Sequence, residues 1–106
     1  MPALIEIKTD GTRVTHQVKK LDLAQVRALI GPKCDIVERI RVKYAGQSRD
    51  CWLDEEGLYK GGYDQNPYVR KLAEEHYKMP MQTFMGTGII WVPGNTLPSD
   101  DCKVTS

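Results

Sequence analysis

The chain has 106 residues, room for one domain of ordinary size and too few for two. Hydrophobic residues make up 41% and charged residues 27%, the balance of a folded domain rather than a disordered chain. The 15 Lys and Arg against 14 Asp and Glu leave a formal charge of +1, which argues against a dedicated duplex nucleic-acid binder.

Residues 3–8 and 12–18 read as a β-hairpin. Asp10-Gly11 is a strong turn signal, because Gly supplies the positive φ that tight hairpin loops need. With that dipeptide as the loop, Ile7 faces Val14, Ile5 faces His16 and Ala3 faces Val18. All six then share one face, and Glu6, Lys8, Arg13, Thr15 and Gln17 share the wet one. Residues 22–30 read as a helix. Asp22 is its cap, with Gln25 placed to reach back, and Leu23, Val26, Leu29 and Ile30 form its apolar stripe. Gly31-Pro32 stops it.

Residues 35–43 and 48–54 read as a second hairpin, turning near Ala45-Gly46. Ile36, Ile40 and Val42 are expected to face the core with Cys51 and Leu53. Arg39, Arg41 and Lys43 are expected on the opposite, exposed face with Trp52, although one residue of slip would exchange the faces. Residues 57–66 read as a loop. Asn66-Pro67 opens a second helix, with Asn as cap and Pro at its first position. Val69, Leu72, Ala73 and His76 form its inner side, and Arg70/Glu74 and Lys71/Glu75 are spaced for ion pairs on its outer side. Met79-Pro80 ends it. Residues 88–92, Gly-Ile-Ile-Trp-Val, are apolar on both faces, as in a central strand covered on both sides. The expectation is one α+β domain over 1–94, with a mainly antiparallel sheet of about five strands and two helices in the order ββαββαβ. Residues 95–106 are expected to form a polar, flexible tail.

The longest apolar runs, such as Ile89 to Pro93, are far too short to span a bilayer, and no membrane partner is expected. The start of the chain lacks the basic and apolar segments of a signal peptide. Cys34, Cys51 and Cys102 are an odd number at wide spacing, which fits reduced cytosolic thiols better than a disulfide framework.

Chemistry is thin along the chain. A zinc site would have to gather Cys34, Cys51, His16 and His76 from four separate elements, and no spacing points to one. Ser48, Ser99 and Ser106 sit in no strained elbow, and a core position makes Cys51 a packing residue first. Asp54-Glu55-Glu56 and Asp100-Asp101 read as solvated charge in turns. No cofactor is expected. Gly57, Gly61 and Gly62 precede a helix N-terminus, which favours anions, but match neither common phosphate-binding fingerprint. The aromatics Trp52, Tyr59, Tyr63 and Tyr68 are clustered, near Arg39 and Arg41. Such a set fits an interaction surface or the rim of a core equally well.

A group of motifs is similar to a family of small domains of unknown function encoded by phages, prophages and plasmids. Asp10-Gly11 is followed by Leu21-Asp22-Leu23, with Leu29-Ile30-Gly31 closing the first helix. Leu53-Asp54-Glu55-Glu56-Gly57-Leu58-Tyr59-Lys60-Gly61 follows, then Asn66-Pro67, then Gly86-Thr87-Gly88-Ile89-Ile90-Trp91-Val92-Pro93. The match covers about residues 9–94, and departs at Gly62-Tyr63-Asp64-Gln65, where the family has a tighter, more apolar link. The resemblance implies a small mobile-element protein and no catalytic residues.

Two functions follow as expectations. The first is a non-enzymatic, homo-oligomeric binder that occupies a host protein or a nucleotide-like signal, as in counter-defence. Arg39, Arg41, Trp52, Tyr59, Lys60 and Tyr63 would carry its contacts. The second is an enzyme acting on a nucleotide or another phosphorylated small molecule. It would hold phosphate at Gly61-Gly62, with His76 or Glu55 as acid or base. Single-strand nucleic-acid binding by the Arg/Trp face is disfavoured by the small net charge.

Overall fold

The computed structural model describes residues 2–94, with the side chain of Lys60 excepted. The segment 95–106, expected as a tail, lies outside the described residues, as do Ser99, Ser106, Asp100, Asp101 and Cys102. Five strands form one sheet: β1 (Ala3–Ile7), β2 (Arg13–Gln17), β3 (Val37–Tyr44), β4 (Gln47–Asp54) and β5 (Gly88–Val92). Their spatial order is β2-β1-β5-β4-β3, and every pairing is antiparallel. Among the described residues three helices complete the fold: α1 (Leu23–Ile30), the single turn α2 (Gly57–Lys60) and α3 (Pro67–Tyr77). The α+β class and the element order follow the sequence reading; α2 lies in what was expected to be a loop.

The last strand occupies the centre. Gly88–Val92 pairs with β1 on one side and β4 on the other, so both of its faces are covered, as its unbroken apolar run requires. On one face, α1 buries Val26 and Ile30 against Leu4, Trp52 and Ile89. On the other, α3 buries Val69 and Ala73 against Ile5, Ile7, Ile40, Val42, Cys51 and Ile90. Gly88 sets how closely α3 approaches: a Cβ there would lie 2.6 Å from Val69 Cγ2 and 3.2 Å from Cys51 Sγ.

The first hairpin is shifted by one residue from its expected register. Leu4 pairs with His16 and Ile5 with Thr15. The cause is a longer loop. Gly11 donates to the Lys8 carbonyl at 3.0 Å, and Lys8 N–H donates to the Thr12 carbonyl at 2.9 Å. Thr9-Asp10-Gly11 is therefore a three-residue loop, with Gly11 at φ 92° and Asp10 Oδ1 accepting from Thr12 N–H at 2.8 Å. Arg13, Thr15 and Gln17 consequently share the face of Ala3, Ile5 and Ile7, whereas Val14, His16 and Val18 share that of Leu4.

The second hairpin keeps its expected register. Ile40 pairs with Cys51 and Arg39 with Trp52, across a two-residue turn whose Ala45 and Gly46 have φ of 54° and 80°. Trp52 is only 6% exposed, however, because α1 lies over it. Ile36 precedes the strand and is exposed rather than core-facing, and Leu23 is exposed at the start of α1.

Helix α3 crosses the sheet from the β1–β2 turn to the free edge of β3. At its start the Tyr68 ring rests on Gly11, where a Cβ would lie 2.9 Å from the ring. At its end the Arg41 backbone N–H on β3 donates to the Tyr77 hydroxyl at 3.1 Å, which blunts that edge. Lys78 closes the helix in the left-handed region at φ 57°, ahead of Met79-Pro80.

Candidate binding cleft

The end of the sheet where β4 runs into α2 is organised by Asp54. The sequence suggests solvated charge for Asp54-Glu55-Glu56, and that holds for Glu55 and Glu56, but Asp54 is 5% exposed. Its Oδ1 accepts from Glu56 N–H at 2.9 Å, and its Oδ2 accepts from the Tyr63 hydroxyl at 2.7 Å. One carboxylate thus holds the chain on both sides of α2. Burial, and then the Asp54 hydrogen bond and charge, push the Tyr63 hydroxyl above its ordinary pKa, so it remains a proton donor. The Tyr63 ring lies against Gly86. From the α1–β3 connection, Lys33 Nζ donates to the Gly61 carbonyl at 3.4 Å and sits 5.8 Å from the Tyr63 ring centroid.

The turn held by these ties projects apolar surface. Tyr59 is 86% exposed and Leu58 52%, with Ile36 exposed as well. Beneath Leu58 and Tyr59 is an open cleft of about 210 Å³. One wall is Glu38, Leu53 and Glu55; the other is Thr83, Phe84 and Met85 from the segment entering β5. That second wall has no signature in the sequence. The fold brings it there through the Gln65–Met85 bridge and the Asn66 N–H to Phe84 carbonyl hydrogen bond at 2.8 Å.

The six residues expected to carry binding do not form one surface. Arg39 and Arg41 are exposed on the α1 side of the edge strand β3. Arg41 is already engaged, donating to Asp50 Oδ1 at 2.7 Å and to the Ser48 carbonyl at 3.2 Å. Trp52 is buried in the α1 core and presents no exposed ring. Tyr59 is free at the cleft rim, Tyr63 supports the rim from behind, and Lys60 closes α2.

The groups for an enzymatic reading are also dispersed. Asn66 Oδ1 already caps α3 by accepting from Val69 N–H at 3.1 Å. His76 lies near the far end of this 11-residue helix, about 15 Å from its start, and thus away from Gly61-Gly62. There its Nδ1 is 2.7 Å from Ser48 Oγ, an exposed pair that their separation along the chain hides. His16 Nε2 is 2.9 Å from Glu6 Oε1. The Cys51 thiol is pushed up to about 12 by burial, so it is not a nucleophile near neutral pH. Among the described residues, no group of three or more His, Cys, Asp and Glu is placed to hold a metal ion. No described helix is long and apolar enough to cross a membrane.

No protein-family model, curated protein or solved structure matches the chain.

Proposed function

We propose that the protein is a stoichiometric binding module that engages a protein partner through the α2 end of its sheet. In this reading it is a small accessory protein of a phage or another mobile element, occupying a host protein such as a defence component. The observation that carries the reading is the pairing of Tyr59 and Leu58, both largely exposed, on a turn pinned by Asp54, Tyr63 and Lys33. Aromatic anchors of this kind dominate protein interfaces. A turn already held in place loses little further entropy on docking. The ionisable groups on the cleft walls support a protein over a nucleotide: Glu38, Asp54 and Glu55 would repel phosphate. The mobile-element assignment rests on the motif resemblance at residues 53–61, 66–67 and 86–93.

The test is native mass spectrometry of tagged protein recovered from infected cells, comparing the wild type with a Leu58→Ser/Tyr59→Ala variant. The expected result is a partner at fixed stoichiometry with the wild type and at least a tenfold loss with the variant. The melting temperature should stay within about 3 °C, because both side chains are surface groups. Undiminished capture by the variant would overturn the reading. Continued turnover of excess substrate from a nucleotide panel would replace it with the enzymatic one. The same spectra report the oligomeric state.

A further inference from the structure

Resting on that reading, we propose that the cleft beneath α2 receives an arginine side chain from a basic segment of the partner. Three observations converge. First, among the described side chains, those lining the cleft that carry a charge are all acidic: Glu38, Asp54 and Glu55. The whole chain carries a charge of +1, so this negative field belongs to the cleft and not to the protein at large.

Second, the carboxylates differ in what they still have to bind. Asp54 is spent on the Glu56 N–H and the Tyr63 hydroxyl. The side chains of Glu38 and Glu55 take no hydrogen bond or ion pair among the described residues. Their oxygens are therefore open to the planar, forked donors of a guanidinium, which suit carboxylates better than a single ammonium does.

Third, the remaining lining suits the stem of such a side chain. Leu58, which is exposed, and Met85, which is half-buried, offer apolar surface to its methylenes, and the Tyr59 ring at the rim offers a face to the cation. At about 210 Å³ the space is below the range of pockets that enclose drug-sized ligands and suits one long side chain.

The experiment is an amide-resolved NMR titration of the full chain with acetyl-Gly-Arg-Gly-amide. Matched peptides carry lysine, citrulline or glutamate at the centre. The arginine peptide is expected to shift amides at 38, 53–59 and 82–85, with lysine weaker and glutamate without effect. Citrulline keeps the shape and loses the charge, so its binding should fall by about fivefold or more. Glu38→Gln/Glu55→Gln should weaken the arginine peptide by a similar factor with an unchanged melting curve, and added salt should weaken it further. Equal shifts from arginine and citrulline peptides, shifts scattered over other acidic surfaces, or no shifts at all would each overturn the proposal. Its failure is separable from failure of the broader reading. Partner capture lost in Leu58→Ser/Tyr59→Ala but kept in Glu38→Gln/Glu55→Gln would retain the binding module and remove the arginine. Capture kept in the former would remove the module, while the titration alone would still decide the cleft.

Discussion

Helices α1 and α3 begin with the same local device, a short polar side chain that accepts a hydrogen bond from the first turn, and use it differently. Asp22 accepts from Ala24 N–H at 2.9 Å and is exposed, so its bond serves only its own helix. Asn66 is 1% exposed and accepts from Val69 N–H, while its Nδ2 donates to the Ile7 carbonyl at 3.0 Å and the Gly86 carbonyl at 2.9 Å. One side chain thereby joins α3 to the end of β1 and to the chain entering β5. The comparison teaches that a capping signal marks where a helix starts and does not say how much of the fold depends on it. An exposed cap can be replaced by water. A buried amide between two carbonyls cannot, since removing it leaves backbone groups unpaired away from solvent.

Substitutions test this contrast. The largest effect is expected at Trp52, which anchors the seat of α1 as Val69 anchors that of α3. Trp52→Ala should cost about 3–5 kcal/mol in urea unfolding, the usual range for emptying an aromatic core position. A loss below 1 kcal/mol would mean that α1 is not seated on that ring. Next, Asn66→Ala should cost about 3 kcal/mol, roughly one per lost hydrogen bond. Asn66→Asp separates cap from tie: it keeps the acceptor for Val69 N–H, loses both donors and sets a charge against two carbonyls. It should therefore destabilise at least as much as alanine, whereas a role as cap alone would leave it near wild type. The smallest effect is expected at Asp22. Asp22→Ala should cost about 1 kcal/mol, as for an ordinary exposed cap, and Asp22→Asn less still. An Asp22→Ala loss matching that of Asn66→Ala would abolish the distinction.

The two hairpins show where sequence reading holds and where it stops. In the β3–β4 hairpin the Ala45-Gly46 turn has two central residues with positive φ, and the register follows directly from counting outward. In the β1–β2 hairpin Asp10-Gly11 is equally suggestive, yet the loop takes in Thr9 as well. Both loop types place Gly at a positive φ, so the dipeptide cannot choose between them. Nor does β1 choose: Ala3, Leu4, Ile5 and Ile7 are all buried, and either face of that strand accepts a core. The expected position of Trp52 failed for a different reason. Its register with Arg39 is as expected, but exposure depends on where α1 comes to rest, which no pairing rule specifies.

Local chemistry, then, was enough to place the turns at Gly11 and Gly46, the caps at Asp22 and Asn66, the stop at Gly31-Pro32 and the doubly apolar strand Gly88–Val92. Each of these is decided within a few residues, by backbone sterics, by hydrogen-bond needs or, for the strand, by an unbroken apolar run. Tertiary structure alone decided that Trp52 is core, that Asp54 is a buried tie rather than solvated charge, and that residues 82–85 form a cleft wall opposite Glu38 and Glu55. These outcomes depend on segments distant along the chain meeting in space. Burial and charge environment are properties of that meeting, and no short stretch of sequence encodes them by itself.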